Sequence, residues 1–211
     1  MPEPSGTATL MGEILPGLYR WRMQDDRIET ESDSYAVLED DRVILIDPLP
    51  MEGLDLAELG LVESICLTGS CHERAAWRYR RQLNIPVYAP SGGVDFEEAP
   101  DRWYTHGDRL PGGLLAVHCP GPTDAYYSFH LERNRGVVFC ADLLVNAGGE
   151  TPAFAWDEYQ DEPARTRDSV RRLLDLNFDV LCPAHGDPIM KDAKAAIRRA
   201  LERDAAGRTA K

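Results

Sequence analysis

Short apolar segments separated by polar turns run through the chain, a pattern typical of an α/β protein. Val43–Ile46 is continuously apolar and ends on Asp47, as expected of a strand buried on both faces. Val62–Leu67 predicts a second buried strand, and a helical pattern follows from about residue 72 to residue 83. Asp40-Asp41, between two strand-like runs, indicates a hairpin. In such proteins the chemistry usually lies where the strands end.

The same pattern predicts the other elements of the chain. Further strands are predicted at residues 18–23, 34–39, 86–89, 103–104, 114–118, 126–132, 136–141 and 179–182. Further helices are predicted at residues 51–60, 162–176 and 189–203. Because no interior linker or short repeat interrupts the chain, we predict one domain, residues 1–211, with loose ends at 1–12 and 204–211.

Composition narrows the class of protein. The 211 residues carry 23 basic and 36 acidic side chains, a formal net charge of −13, which argues against nucleic acid or an anionic membrane surface as partner. No basic-then-apolar leader or membrane-length apolar stretch is seen, and the five cysteines lack Cys-x-x-Cys spacing. We therefore expect a cytoplasmic protein with reduced thiols and a small-molecule partner, and leave homo-oligomerisation open.

One turn concentrates reactive groups. After the strand that ends near Leu67, residues 71–74 offer in succession a thiol, an imidazole, a carboxylate and a guanidinium. Two later strands also end in polar residues, at Asp142 and His185. Polar residues at strand ends can converge on one cleft although they are far apart in sequence.

Five motifs, in this order, resemble the metallo-β-lactamase-fold hydrolase superfamily over about residues 12–200. They are Ser34–Leu38 with Val43–Pro48, the turn Leu67–Ala76, Pro120–Thr123, Gly136–Leu144 with its Ala-Asp, and Pro183–Gly186. The resemblance implies an α/β fold, a four-layer αββα sandwich with a metal cleft at one edge. In active members, Thr-His-x-His-x-Asp-His, Pro-Gly-His-Thr, Gly-Asp and Gly-His motifs hold two zinc or iron ions and a bridging hydroxide.

At most of the ligand positions that the resemblance implies, this chain carries a different residue. Gly69, Cys71 and Arg74 stand at the histidines of the turn, Glu73 at its aspartate, and Pro122 at the histidine of Pro-Gly-His-Thr. Only Asp142, His185 and the structural aspartate, Asp47, match. Zinc takes nitrogen, sulfur or carboxylate ligands, typically three from the protein at a catalytic site. One metal pocket therefore keeps only Cys71 and Asp142, and the other keeps Glu73, Asp142 and His185 beside an arginine.

These replacements suggest roles for the residues that line the cleft. Arg74 is expected to replace the charge of the metal by pairing with Asp142 and with Glu73, since a guanidinium suits carboxylates placed around a cation. Asp47 is expected to brace the turn by accepting backbone N–H bonds. His72 holds a variable position of the motif and is expected to be exposed rather than catalytic. The predicted cleft-lining residues are Gly69, Cys71, His72, Glu73, Arg74, Pro122, Asp142 and His185.

Three hypotheses about function follow. The first is a divergent member of the superfamily that has lost the dinuclear site and binds a small ligand or regulates, with no metal cofactor expected. The second is a thioester, ester or lactone hydrolase with at most one zinc, manganese or iron ion on Glu73, Asp142 and His185, with help from Cys71 or His72. The third is metal-free catalysis by Cys71 with His72 or His185 as base. The catalytic candidates are accordingly Cys71, Asp142 and His185.

Overall fold

The protein is described by a computed structural model, which covers residues 3–51, 56 and 59–209. The Cα positions divide the chain into two compact units, Met1–Ala116 and Val117–Lys211. The first unit holds a seven-stranded sheet, and the second holds most of a four-stranded sheet, because the boundary falls inside the edge strand β8.

The strands of the first sheet are β1 Thr9–Leu15, β2 Leu18–Asp25, β3 Thr30–Glu39, β4 Arg42–Ile46, β5 Leu61–Cys66, β6 Val87–Pro90 and β7 Arg102–Tyr104. The strands of the second sheet are β8 Leu115–His118, β9 Tyr127–Leu131, β10 Val137–Ala141 and β11 Val180–Pro183. The described α-helices are α1 Ala76–Leu83, α2 Pro163–Leu173 and α3 Ala193–Thr209. Short 3-10 helices lie at Ser70–His72, Pro111–Gly113 and Asp157–Tyr159.

The first sheet follows chain order from β1 to β7, with antiparallel pairs up to β4 and parallel pairs from there on. The hairpin predicted at Asp40-Asp41 is confirmed. Both residues have positive φ, 47° and 62°, which matches the two left-handed residues of a type I′ turn. Aspartate tolerates this conformation better than most residues, because its short polar side chain can hydrogen-bond locally.

Strands β4 and β5 bring their carboxyl ends to the same edge of the sheet. They pair in parallel as far as Ile46 and Cys66, and the Asp47 N–H then donates to the Cys66 carbonyl at 3.2 Å. Val43 and Leu45 of β4, with Val62 and Ile65 of β5, are buried in a core that also contains Trp21 and Leu49. The Trp21 indole N–H donates to the Leu49 carbonyl at 3.2 Å, so the chain leaving β4 is held firmly at this edge.

The second sheet has the order β11-β10-β9-β8, with β10 parallel to β11 and antiparallel to β9. Every residue of β9, β10 and β11 is buried. Helix α2 buries Val170 and Leu173, as its amphipathic pattern predicts. The carboxyl ends of β10 and β11 therefore share an edge and are followed by Asp142 and by Ala184-His185.

Several predicted boundaries are wrong. Residues 9–12, predicted as loose, belong to β1, an edge strand whose faces are only partly covered and which therefore lacks an apolar signal. Likewise α3 runs on to Thr209. The helix predicted from residue 72 is instead a 3-10 turn at Ser70–His72 followed by α1. The helix predicted at residues 51–60 lies largely outside the described residues. None of the described helices is long and apolar enough to span a membrane.

Candidate functional site

In the first unit, the turn after β5 is tied to the end of β4 by one carboxylate. Asp47 Oδ1 accepts the Thr68 backbone N–H at 2.8 Å, and Asp47 Oδ2 accepts the Thr68 hydroxyl at 2.7 Å. Asp47 is 4% exposed and has a positive φ of 47°. The prediction that Asp47 braces the turn by accepting a backbone N–H bond is confirmed.

His72 belongs to the same network. Its Nδ1 lies 3.0 Å from Asp47 Oδ2 and 2.7 Å from Thr68 Oγ1. An ionised carboxylate only accepts, so a hydrogen bond to Asp47 places the proton on Nδ1 and fixes the orientation of the ring. The expectation that His72 is exposed is wrong, since only 4% of it is exposed. The 3-10 turn carries its ring back onto the end of β4, which the sequence motif did not reveal.

Cys71 and Gly69 complete the turn. Cys71 is partly exposed, and its sulfur lies within 4.8 Å of a ring nitrogen of His72. The other four cysteines are buried, and none of the five forms a disulfide. Gly69 has an extended backbone, φ −174°, which any residue adopts, so the backbone does not require glycine there. Gly69 has no side chain and so cannot supply a side-chain ligand to a metal ion.

Glu73 is 1% exposed and bound within its own unit. Its Oε2 accepts the Trp77 indole N–H and, at 2.7 Å, the Glu97 backbone N–H. Its Oε1 is buried and has no hydrogen-bond partner among the described residues. Burial raises the pKa of this carboxyl above its usual value, because desolvation disfavours the charged form, while the two donors act in the opposite direction. Glu73 thus serves as an acceptor for helix α1 and for the segment around residue 97.

Arg74 is likewise bound to its own sheet. It is 3% exposed with φ 46°, and its Nη1 lies 2.6 Å from the Asp33 carbonyl, 3.1 Å from Ser34 Oγ and 3.0 Å from the Asp47 carbonyl. The predicted pairing with Glu73 is wrong: no ion pair joins these two described residues, because Glu73 is taken by Trp77 and Glu97. The acceptors of Arg74 in this unit are two backbone carbonyls and a hydroxyl.

In the second unit, Asp142 and His185 lie side by side at the edge shared by β10 and β11. His185 Nε2 is 3.2 Å from Asp142 Oδ1, and both side chains are partly exposed, at 18% and 27%. The Asp142 backbone N–H donates to the Tyr126 hydroxyl at 2.8 Å. Asn146 donates its N–H to the His185 carbonyl at 2.9 Å, so the backbone is held at both residues of this pair.

Pro122 lies on a turn that packs against the start of α2. The carbonyls of Gly121 and Pro122 accept the N–H groups of Glu162 and Asp161, at 2.9 and 3.1 Å. A Cβ on Gly121, whose φ is 143°, would lie 2.2 Å from Thr166 Oγ1, so glycine is needed for this close approach. Pro122 itself offers no side-chain donor or acceptor.

Sequence reasoning missed two residues that hold the turn, Ser34 and Trp77. Ser34 Oγ donates to the Asp47 carbonyl and accepts the Leu49 N–H at 2.9 Å. The hairpin register, which pairs Tyr35 with Ile46, would have placed Ser34 beside Asp47. Trp77 lies four residues after Glu73, a spacing at which side chains on a helix contact each other, so the sequence could have predicted this contact.

Comparison with known proteins decides the family. The family model described as the metallo-beta-lactamase superfamily matches residues 13–201. The chain belongs to the metallo-β-lactamase superfamily. The family match runs through both compact units. A comparison with curated protein sequences finds no match.

Solved structures confirm the fold of this superfamily member. TMB-1 matches with a TM-score of 0.74 and 12% identity over 95% of this chain and 99% of its own. TTHA1429, a metallo-beta-lactamase family protein from Thermus thermophilus, gives 0.70 and 21%, covering 93% and 81%. FIM-1 from Pseudomonas aeruginosa, solved in a mono-zinc form, gives 0.73 and 16%, covering 96% and 98%. At these identities the likeness concerns the fold alone, and it confirms the predicted α/β fold class.

Proposed function

We propose that this metallo-β-lactamase-fold protein has no dinuclear metal centre and serves as a non-hydrolytic ligand-binding or regulatory protein. One observation carries the proposal. Glu73 and Arg74, the two charged residues at implied ligand positions of the turn, are both buried and hydrogen-bonded to the protein's own scaffold. A carboxylate and a cation held in this way contribute to the fold of the turn: the guanidinium cannot coordinate a metal, and the carboxylate is engaged with the scaffold through Oε2.

The donor set at the other implied positions supports the same proposal. Gly69 and Pro122 supply no side-chain atom, and a guanidinium is always protonated and cannot coordinate. Cys71, Asp142 and His185 remain, too few for two ions that each need about three protein ligands. The residues present therefore do not fit the two-metal group that the resemblance implies.

The proposed partner is a small molecule, with no resident metal cofactor. The net charge of −13 is unfavourable for nucleic acid or an anionic membrane. A cytoplasmic location remains part of the proposal and rests on the cysteine pattern, since four of the five cysteines are buried and none forms a disulfide. Burial raises the pKa of the Cys119 thiol to about 11, which keeps that thiol protonated and unreactive.

Metal content tests the proposal. Protein purified without chelator from a zinc-supplemented culture should contain well under one equivalent of zinc, iron and manganese by elemental analysis. It should also not hydrolyse a chromogenic cephalosporin or a thioester. Arg74→His, which restores a ligand and removes the cation, is the informative comparison and should take up more metal than the native chain. One or two tightly held equivalents in the native protein, lost on Asp142→Ala or His185→Ala, would overturn the proposal.

A second candidate is a hydrolase with one metal ion, and the Asp142–His185 pair favours it. A carboxylate and an imidazole at 3.2 Å from each other are two of the donors that a mononuclear zinc site uses. Glu73, the third predicted ligand, is 1% exposed and holds Trp77 and Glu97 through Oε2, so its buried Oε1 is the oxygen left to coordinate. Calorimetric titration with zinc separates the two candidates. Binding of about one equivalent that His185→Ala and Asp142→Ala each abolish supports this hydrolase.

A further inference from the structure

One edge of the Arg74 guanidinium has no partner in the part of the chain that the structure describes. All three hydrogen bonds of this side chain are made by Nη1, to Asp33, Ser34 and Asp47. Nε and Nη2, which form the other edge of the planar group, bond to none of the described residues. That edge is the one that binds a carboxylate with two parallel hydrogen bonds.

Four other arginines of this protein use this same edge on a carboxylate. In each, Nε and Nη2 donate to the two oxygens of one aspartate at 2.5–3.1 Å. The pairs are Arg22 on Asp33, Arg27 on Asp25, Arg80 on Asp101, and Arg167 on Asp204. Arg74 is more deeply buried than Arg22, Arg27, Arg80 or Arg167, and within its own unit it is held by neutral acceptors only.

The acidic side chains around Arg74 in the first unit are bound to other groups. The Asp33 carboxylate accepts from Arg20 and Arg22, and that of Asp25 from Arg27. The Asp47 carboxylate accepts from Thr68 and contacts His72, while only its backbone carbonyl reaches Arg74. Asp25 and Arg74 attract each other electrostatically, but the Asp25 carboxylate is hydrogen-bonded to Arg27. No carboxylate of the described residues in this unit hydrogen-bonds to the guanidinium of Arg74, so this arrangement favours an anion supplied from elsewhere.

We propose that the Nε–Nη2 edge of Arg74 binds an oxyanion group of the ligand, a carboxylate or a phosphate. Arg74 lies at the carboxyl ends of β4 and β5, the edge where α/β proteins usually bind ligands. The three bonds at Nη1 fix the plane of the guanidinium, so the free edge is oriented before the ligand arrives. This inference rests on the proposed ligand-binding function and names the chemical group recognised.

Matched probes test the proposal on the native protein at constant ionic strength. Benzoate and phenyl phosphate each carry an oxyanion on a phenyl ring, whereas benzamide carries a neutral amide on the same ring. We expect one of the two anions to bind at least about tenfold more tightly than benzamide, measured by calorimetry, and the tighter one identifies the oxyanion. Equal binding of all three probes, or binding of none, overturns the proposal.

Variants assign the binding to Arg74. Arg74→Gln should abolish the preference for the anion, and Arg74→Lys, which keeps the charge without the fork, should weaken it about tenfold. Arg42→Gln is the matched control, because Arg42 is exposed at the opposite end of β4, and should leave the affinity unchanged. If Arg74→Gln does not fold, Arg74→Lys and the three probes on the native protein still test whether Arg74 binds the anion. Unchanged affinity in Arg74→Lys overturns the proposal.

Two further outcomes separate this inference from its alternatives. Metal content is measured on the same samples. If the protein is metal-free and binds neither benzoate nor phenyl phosphate, this inference is overturned and the proposed function stands. If the protein contains bound metal, the proposed function itself is overturned.

Discussion

At the scale of the residue, the turn after β5 is held by buried charges that bond to the protein itself. Asp47, Glu73 and Arg74 are each at most 4% exposed, and each bonds to backbone groups from a distant part of the chain. A buried polar group left without a partner costs about 1–3 kcal/mol, so each of these side chains constrains the turn strongly.

Asp47→Asn tests the most connected of these residues. It removes the charge and turns one acceptor oxygen into a donor facing Thr68 and His72, so we expect a loss of about 1–3 kcal/mol in the free energy of unfolding. Asparagine tolerates the positive φ, so backbone strain does not contribute. Urea denaturation measures the change.

Asp41→Asn is the matched control for that substitution. Asp41 also has a positive φ, 62°, but it is exposed on the β3–β4 hairpin. It should change stability by less than about 0.5 kcal/mol. Equal losses in both variants would mean that the network around Asp47 contributes nothing beyond an aspartate on a left-handed turn.

At the scale of the element, loops after the strands are positioned by close backbone contacts. Gly186 follows His185, has φ 99°, and would place a Cβ 1.7 Å from the Asn146 carbonyl oxygen. The loop after β10 and the loop after β11 therefore touch through their backbones, and this contact sets where His185 lies.

Gly186→Ala should be strongly destabilising, and Gly148→Ala provides its control. Both glycines have nearly the same φ, 99° and 97°, but nothing lies within 4 Å of a Cβ on Gly148. We expect about 1 kcal/mol of strain in Gly148→Ala, and at least about 2 kcal/mol more in Gly186→Ala. Thermal and urea unfolding compare the two variants, and similar losses would rule out the backbone contact as the cause.

A second link between elements depends on pH. Asp101 accepts a two-point bond from Arg80 on α1 and the Val87 N–H of β6 at 2.9 Å. The Arg80 hydrogen bonds lower the pKa of Asp101 from 3.8 to about 2. Because the folded pKa is depressed, the stabilisation is present above the unfolded value and is lost as the pH falls from about 4 towards 2.

Asp101→Asn should therefore destabilise the protein at pH 7 and matter less in acid. At pH 7 we expect the free energy of unfolding to fall by about 1–2 kcal/mol, a loss reduced by the partial exposure of the Arg80–Asp101 pair. The difference in free energy of unfolding between the native protein and the variant should narrow below about pH 4. Urea unfolding across this range measures it. Asp95→Asn, at an exposed residue that also has a positive φ, should show no such trend. A gap that stays constant down to pH 3 would contradict the assignment.

At the scale of the whole molecule, the superfamily fold is present while most of the ligand residues that the resemblance implies are replaced. A ligand that binds only the folded state stabilises that state, by about 2.7 kcal/mol when present at one hundred times its dissociation constant. For a chain of this length such a contribution corresponds to roughly 5–10 °C in Tm. The thermal stability therefore reports whether a metal belongs to the folded protein.

The proposed function predicts that chelation leaves the stability unchanged. Incubation with EDTA should shift the Tm of the native protein by less than about 1 °C, since no bound ion is removed. Magnesium-saturated EDTA controls for effects of the chelator itself. A fall of several degrees that zinc restores and magnesium does not would contradict the proposal and favour the mononuclear hydrolase.

The sequence by itself determined the fold class and most of the strand order. Buried strands appear in it as continuous apolar runs, and the pair Asp40-Asp41 between two such runs indicates a hairpin. Through the resemblance to the superfamily motifs, the sequence also placed Gly69, Cys71, Glu73, Arg74 and Pro122 at the implied ligand positions. The partners of His72, Glu73 and Arg74 were decided only by the tertiary structure. Each partner comes from another strand or loop, and the direction of a side chain on a short 3-10 turn depends on contacts that no local pattern encodes.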